Sequence, residues 1–317
     1  MNYTEKFIGI DVSKKKLDVG FRPQQATQVY DYTKEGIAQL IKALKEIAPT
    51  LIVLEATGGV ERDLVNGLVE ASLPVVVINP RQIRDFAKAL GLLAKTDSLD
   101  ADVLAHYAQV VRPARRPFAT AEEQQLKGWI TRRRQIVEMS SVEKMRLPQT
   151  PKEIRPTIQK HLSWLKKEVK KLDKKITQHI QASSENRAKQ ELLCSAPSVG
   201  PVLSATLMAE MPELGTLSGK KIAALVGVAP YNQESGTWKG RKKISGGRKP
   251  VRSVLYMATL AGIRGNPVIK EFYRRLIKAG KVRKVAIVAC MRKLLIILNA
   301  MVKHNTPWTL PPALVTA

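Results

Sequence analysis

Apolar residues at the start of the chain fall in short runs and alternations. Lys6 to Val12 (KFIGIDV) reads as an apolar strand, and Lys16 to Arg22 (KLDVGFR) alternates as its hairpin partner. Thr27 to Tyr32 reads as a third strand. From Glu35 to Ile47 the period changes: Ile37, Leu40, Ile41, Leu44 and Ile47 recur at helical spacing. A short buried strand, Leu51 to Leu54, ends at Glu55. A helix over Val60 to Ala71, a strand over Pro74 to Asn79 that stops at Pro80, and a helix over Ser98 to Val111 complete this region. Three meander strands followed by alternating helix and strand is the element order of a ribonuclease-H-like domain, which is the expected fold.

The middle of the chain is helical. Ile158, Leu162, Leu165, Val169, Leu172 and Ile176 step by alternating fours and threes, an a/d seam with Lys-rich flanks. A less regular helix over Ala121 to Met145 precedes it, and Pro148, Pro151 and Pro156 separate the two. An antiparallel hairpin, a dimerising coiled coil and a solvated charged arm all fit this pattern. Further on, LLCSAPSVGPVLSATLM (192–208) reads as helix, Pro-x-x-Gly turn and helix. That is either a helix-hairpin-helix, in which Gly200 lets the backbone approach a phosphate at a helix N-terminus, or an ordinary turn between packed helices. After Gly227 comes a polar, glycine-rich stretch, and helices fill Val251 to Lys303. The expected organisation is an α/β domain over 1–118, a helical hairpin or coiled coil over 119–185, and a mainly α domain over 186–317.

Charge sharpens this division. The 317 residues carry a formal net charge of +26. Residues 1–118 hold 16 basic and 14 acidic side chains, residues 119–235 hold 19 and 12, and residues 236–317 hold 18 and a single acid, Glu271. A chain this cationic calls for a polyanionic partner, nucleic acid before an acidic membrane surface. Two cysteines, Cys194 and Cys290, exclude a disulfide framework and a zinc ribbon, and both read as core residues. Four histidines show no metal-binding spacing. No N-terminal signal segment is expected, and the C-terminal apolar run Leu294 to Ile297 reads as too short for the ~18 residues of a membrane span. A cytoplasmic protein is expected.

Against this basic background a few acids stand out. Asp11 and Glu55 each end an apolar strand, where an unpartnered carboxylate is costly. Asp97 and Asp100, three apart, share one helical face. Alone, Asp97 reads as a helix cap and Asp100 as a complement to the helix dipole. Together, two strand-end acids and two helix acids suit a site for hard divalent cations, a pair of which ~4 Å apart serves phosphoryl transfer. Asp102 lies about 140° round the helix from Asp97 and is expected to face solvent. Asp18, Glu61 and Asp63 rank below these four.

At this point the sequence resembles a known family. GIDVSKKKLDV, the LEATGG turn, INP at 78–80 and KTDSLDADVLA are similar to the DEDD transposases of the bacterial insertion-sequence-110 group, which has a pilin-gene invertase among its relatives. So are SAPSVGPVLSATLMAEM, ALVGVAP, ESG at 234–236 and GGRKPVRSVLYMA, in the family's order. The resemblance implies a RuvC-like N-terminal fold in which Asp11, Glu55, Asp97 and Asp100 form the DEDD tetrad that binds Mg2+. It implies that Ser235, which alone reads as a turn serine, is the nucleophile of a C-terminal transposase domain. It also implies a structured bridge RNA as guide, donor and target DNA as substrates, exchange without a free double-strand break, and dimers that assemble to tetramers with composite sites.

Attack by Ser235 on a phosphodiester would conserve bond energy in a phosphoserine link. Lys95, Lys239, Arg241, Lys242, Lys243, Arg248, Lys249 and Arg252, with the Gly200 turn, are the expected contacts to nucleic acid. Two other enzymes share parts of the pattern. A RuvC-like junction nuclease would use the acids without Ser235. An actin- or sugar-kinase-type ATPase would need a second copy of the α/β unit, which is not seen after residue 118. A non-catalytic nucleic-acid binder would explain the basic tail but not the placed acids.

Overall fold

The computed structural model describes residues 5–92, 97–115, 120–232, 234–236, 238–240 and 242–310. The chain forms two compact units, Met1–Phe118 and Ala119–Ala317.

Unit 1 is built on a five-stranded sheet: β1 (Phe7–Val12), β2 (Lys16–Arg22), β3 (Ala26–Asp31), β4 (Leu51–Glu55) and β5 (Val75–Ile78), in the order β3-β2-β1-β4-β5. The first three are antiparallel, whereas β4 runs parallel to both β1 and β5. Period-two alternation sorts their side chains. Ile8, Ile10, Leu17, Val19, Ile52 and Leu54 pack beneath α1 (Lys34–Ile47) and α2 (Arg62–Glu70). Phe7, Leu51 and Val53 face the other way, against α3 (Pro80–Ala89) and α4 (Asp97–Val111).

β5 stops before Pro80 as expected, but the helix α3 that begins there is an element the sequence expectation did not include. Asn79 accepts from the Arg81 N–H, and Pro80 takes the first helical position, where a missing N–H costs nothing and a fixed φ favours the helix. The proline opens an element directly after the strand has stopped.

Unit 2 opens with α5 (Ala121–Arg146), capped by a Thr120–Glu123 capping box, and α6 (Arg155–Ala182). They pair as an antiparallel hairpin within the chain: Leu126 and Ile130 meet Ile176 and Ile180, and Arg133 bonds Asp173 at 2.5 Å. The heptad seam is therefore filled by α5. The hairpin shares this core with Ala205 of α8 (Pro201–Glu210), which follows α7 (Ser184–Cys194). A larger core joins α7, α8, α9 (Gly219–Val226), α10 (Lys249–Gly265), α11 (Pro267–Lys278) and α12 (Arg283–His304). Among the described residues α12 alone has the length and apolar composition to cross a membrane, longer than the expected run Leu294 to Ile297. Its Cys290, Met291, Leu294, Leu295 and Leu298 are central to this core. Burial pushes the Cys290 thiol up to about 11, and nearby Lys293 offsets that only in part.

Candidate active site and nucleic-acid interface

The sheet register brings the two strand-end acids together. Ile10 of β1 pairs with Leu54 of β4, so the next position on each strand sets Asp11 beside Glu55, on neighbouring strands about 4.8 Å apart. Alternation puts both on the α4 side of the sheet. Phe7 and Val53 are buried on that side, while Ile10 and Leu54 are buried on the other. Both acids are half-buried, and each interacts with a neighbour.

Helix α4 lies directly over this row because glycine leaves room for it. A Cβ added to Gly9 would meet the Ala101 carbonyl oxygen and the Ala105 nitrogen at 2.2 Å; one on Gly20 would meet Ala101 at 2.6 Å. The far end of α4 covers the other end of β1. Tyr107 and Ala108 pack with Phe7, and the Arg112 guanidinium sits 5.1 Å from the Phe7 ring centre. The helix thus runs antiparallel to β1, with its N-terminal turn at the strand ends that carry Asp11 and Glu55. Asp97 begins α4 and Asp100, half-buried, precedes Ala101. The Asp97 side chain lies outside the described part of the structure. Among the described residues no three His, Cys, Asp or Glu side chains form a ready-made metal cage. The donor chemistry nevertheless suits a hard cation that binds one or two carboxylates and keeps several waters.

Three acids behave differently from the sequence expectation. Asp102 does not simply face solvent. It forms a two-pronged pair with Arg22, at 2.9 and 2.6 Å, because α4 sits so close over Gly20 that Asp102 reaches the end of β2. Asp18, ranked low, is only 4% exposed and stands directly opposite Asp11. Glu61, also ranked low, organises the turn after Glu55: one of its oxygens accepts from the Thr57 N–H, the Thr57 hydroxyl and the Gly59 N–H at 2.8–3.1 Å. Gly58 and Gly59 take φ of +74° and +109° in this turn, the left-handed region that glycine tolerates.

Partial burial, the largest influence on Glu61, pushes its carboxyl up. Hydrogen bonds from its own backbone, Gly59 and Thr57 outweigh it and hold the group below the ordinary glutamate value. Glu61→Ala is expected to cost about 1–3 kcal/mol in chemical denaturation at pH 7. Because the folded pKa is depressed, the wild-type advantage is present above the unfolded value of about 4.3 and fades as pH falls through the folded one. A difference between the two proteins that does not shrink in acid would contradict this role.

In unit 2, Ser235 stands at the tip of a β-hairpin arm. At its base β6 (Pro230–Tyr231) pairs with β9 (Lys243–Ile244). At its tip β7 (Glu234–Ser235) pairs with β8 (Trp238–Lys239), with Ser235 opposite Trp238. Ser235 is exposed, and Gly236 follows it with φ +56°. The sequence showed only a polar, glycine-rich stretch here, since two-residue strands leave no periodicity to read.

The expected basic contacts divide by environment. Lys242, Lys243 and Lys249 are exposed. Arg248 is turned inward: its guanidinium bonds both Glu213 oxygens at 2.6 and 2.7 Å and the Glu210 carbonyl. Arg252 holds the Gly246 carbonyl. Both arginines anchor the arm's return to α10, Arg248 through an acid and Arg252 through a carbonyl. Lys239 lies in β8 but its side chain is outside the described part, as are Lys95 and Arg241 altogether. Gly200 caps α8, exposed, after Ser198 at φ +76°. It lines a largely apolar cleft of about 770 Å³ together with Ile130, Val137, Val202 and Met257.

Residues 8–156 match a DEDD-type transposase family model of the IS110 group, and residues 190–274 match the transposase IS116/IS110/IS902 family. The pilin gene-inverting proteins of Moraxella lacunata and Moraxella bovis are each 27% identical over 315 residues, which is 96% of this chain and 98% of theirs. Two matched segments and a likeness along nearly the whole length lead to one assignment: the chain belongs to the IS110 family and is a transposase.

Proposed function

We propose that the protein is an RNA-guided DNA recombinase that exchanges donor and target strands through a phosphoserine link, with Mg2+ at the Asp11, Glu55, Asp97 and Asp100 site of a ribonuclease-H-like domain. The observation that carries this reading is the placement of Asp11 beside Glu55 under the first turn of α4. Asp11 and Glu55 would hold the cation from the sheet, with Asp97 and Asp100 approaching from α4. A bound divalent cation supplies Lewis-acid stabilisation of phosphoryl oxygens. The strand order, with β1 central between an antiparallel pair and two parallel strands, supports the domain reading.

Ser235 supplies the nucleophile. Its Oγ bonds to a DNA phosphorus, the bond to the departing sugar oxygen breaks, and the hydroxyl proton is passed to water or to that oxygen. Attack by a sugar hydroxyl on the phosphoserine reverses these changes, rejoins the strand and returns the proton to Ser235. Lys242, Lys243 and Lys249 offer charge to the phosphates around the arm. The excess of lysine on α6, with Lys166, Lys167, Lys170, Lys171, Lys174 and Lys175 exposed, suits a structured RNA backbone. The reading extends to a cytoplasmic protein that works as a dimer assembling to a tetramer.

The test combines the full chain, the noncoding RNA encoded beside its gene, cognate donor and target DNA, and Mg2+. Strand exchange and a covalent protein–DNA adduct are expected, and removal of either Mg2+ by EDTA or the RNA should abolish both. Exchange that persists in EDTA would overturn the metal assignment; exchange of equal rate without RNA would overturn guidance.

A further inference from the structure

The hairpin of β1 and β2 sets Asp11 directly opposite Asp18. Leu17, Val19 and Phe21 of β2 pack under α1 and α2, so Asp18 projects to the α4 side, the side of Asp11 and Glu55. Asp18, Asp11 and Glu55 therefore form one row across three adjacent strands. Directly opposed like charges destabilise a strand pair, and a buried carboxylate lacking a hydrogen bond is costlier still. Asp18 has the first liability and, at one of its two oxygens, the second. It is 4% exposed, and its Oδ2 has no hydrogen bond among the described residues; its close cation is Lys16, with Nζ at 3.3–3.4 Å from the two oxygens. The Lys16 ammonium, on a side chain 41% exposed, hydrogen-bonds Oδ1 and lies 3.3 Å from Oδ2 as an ion pair outside hydrogen-bond geometry, so Oδ2 keeps room to accept a hydrogen bond.

From this geometry we infer that Asp18 is a positioning residue of the metal site, accepting through Oδ2 a hydrogen bond from a water of the cation held by Asp11 and Glu55. The inference rests on the metal reading above and deepens it. A cation that keeps most of its waters needs acceptors for them, and acceptors just beyond the direct ligands control its affinity. Asp18 would then stand just beyond the direct ligands, which the metal reading takes from Asp11, Glu55, Asp97 and Asp100. Lys16 then competes with the hydrated cation for Asp18.

The test reads metal binding by the full chain without nucleic acid, by calorimetric titration with Mn2+ and Mg2+, alongside melting with and without metal. Asp18→Asn is expected to weaken metal affinity about 10–100-fold. Asp11→Asn should weaken it further. Lys16→Met, which frees Asp18, should tighten it. If Asp18→Asn only lowers the metal-free Tm and leaves affinity unchanged, Asp18 is merely the partner of Lys16 and the inference fails. Should Asp18→Asn not fold, unchanged affinity in Lys16→Met overturns it equally. If Asp11→Asn binds metal like the wild type, the metal reading itself fails. Loss in Asp11→Asn without loss in Asp18→Asn rejects only the role of Asp18.

Discussion

Ser235→Ala should yield no covalent protein–DNA adduct, and strand exchange should fall on the order of 10³-fold or more, the scale of removing a nucleophile. Fold and DNA affinity should hardly change. Ser235 is exposed at the end of a two-residue hairpin, and surface substitutions away from packing or caps usually move stability by no more than ~0.5 kcal/mol. The measurement is denaturing electrophoresis of labelled DNA after reaction in Mg2+, with a binding isotherm and a melting curve as controls. An adduct that survives the substitution removes Ser235 from its role. Cutting that survives without an adduct favours a RuvC-like nuclease that uses the acids alone.

Gly9→Val should destabilise unit 1 by about 3 kcal/mol, the upper end of the usual overpacking range. The obstacle is backbone: a Cβ at position 9 would fall 2.2 Å from the Ala101 oxygen and the Ala105 nitrogen, and neither can move without lifting α4 off the sheet. Since α4 carries Asp97 and Asp100, the same substitution should also abolish metal binding in whatever fraction stays folded. Denaturant unfolding, followed with and without Mg2+, measures both effects. Stability within ~0.5 kcal/mol of wild type, or an unaltered response to Mg2+, would show that the close seat of α4 on Gly9 is not what assembles the site.

Much of this arrangement was legible residue by residue. KFIGIDV reads as an apolar strand and KLDVGFR as an alternating one, and Asp11 stands one residue before the end of β1 in the structure. The seam from Ile158 to Ile176 predicted a helix that buries one face, but the same pattern left open what covers it. The answer, α5 of the same chain, depends on the turn at 147–154 and not on the seam. Pro80 shows a signal with two meanings: with Asn79 before it as a cap, it opens α3. The arm that carries Ser235 consists of strands two residues long, and their pairing partners, not their composition, make them strands.

The charged residues mark the boundary most clearly. Composition and spacing picked out Asp11 and Glu55, because an acid after a run of apolar residues is conspicuous anywhere. Asp18 was passed over for the opposite reason: in KLDVGFR it occupies an ordinary polar position of an alternating strand. Arg248 looked like one more free cation in a basic tail, yet Glu213, 35 residues away, holds it. Periodicity sets which face of its own element a side chain takes, since that depends on the local backbone repeat. Whether the face meets solvent, a partner charge or another acid depends on strand register and helix crossing, which join residues far apart in the chain. The row Asp18, Asp11 and Glu55, with α4 seated over Gly9 and Gly20, exists only once those long-range contacts form.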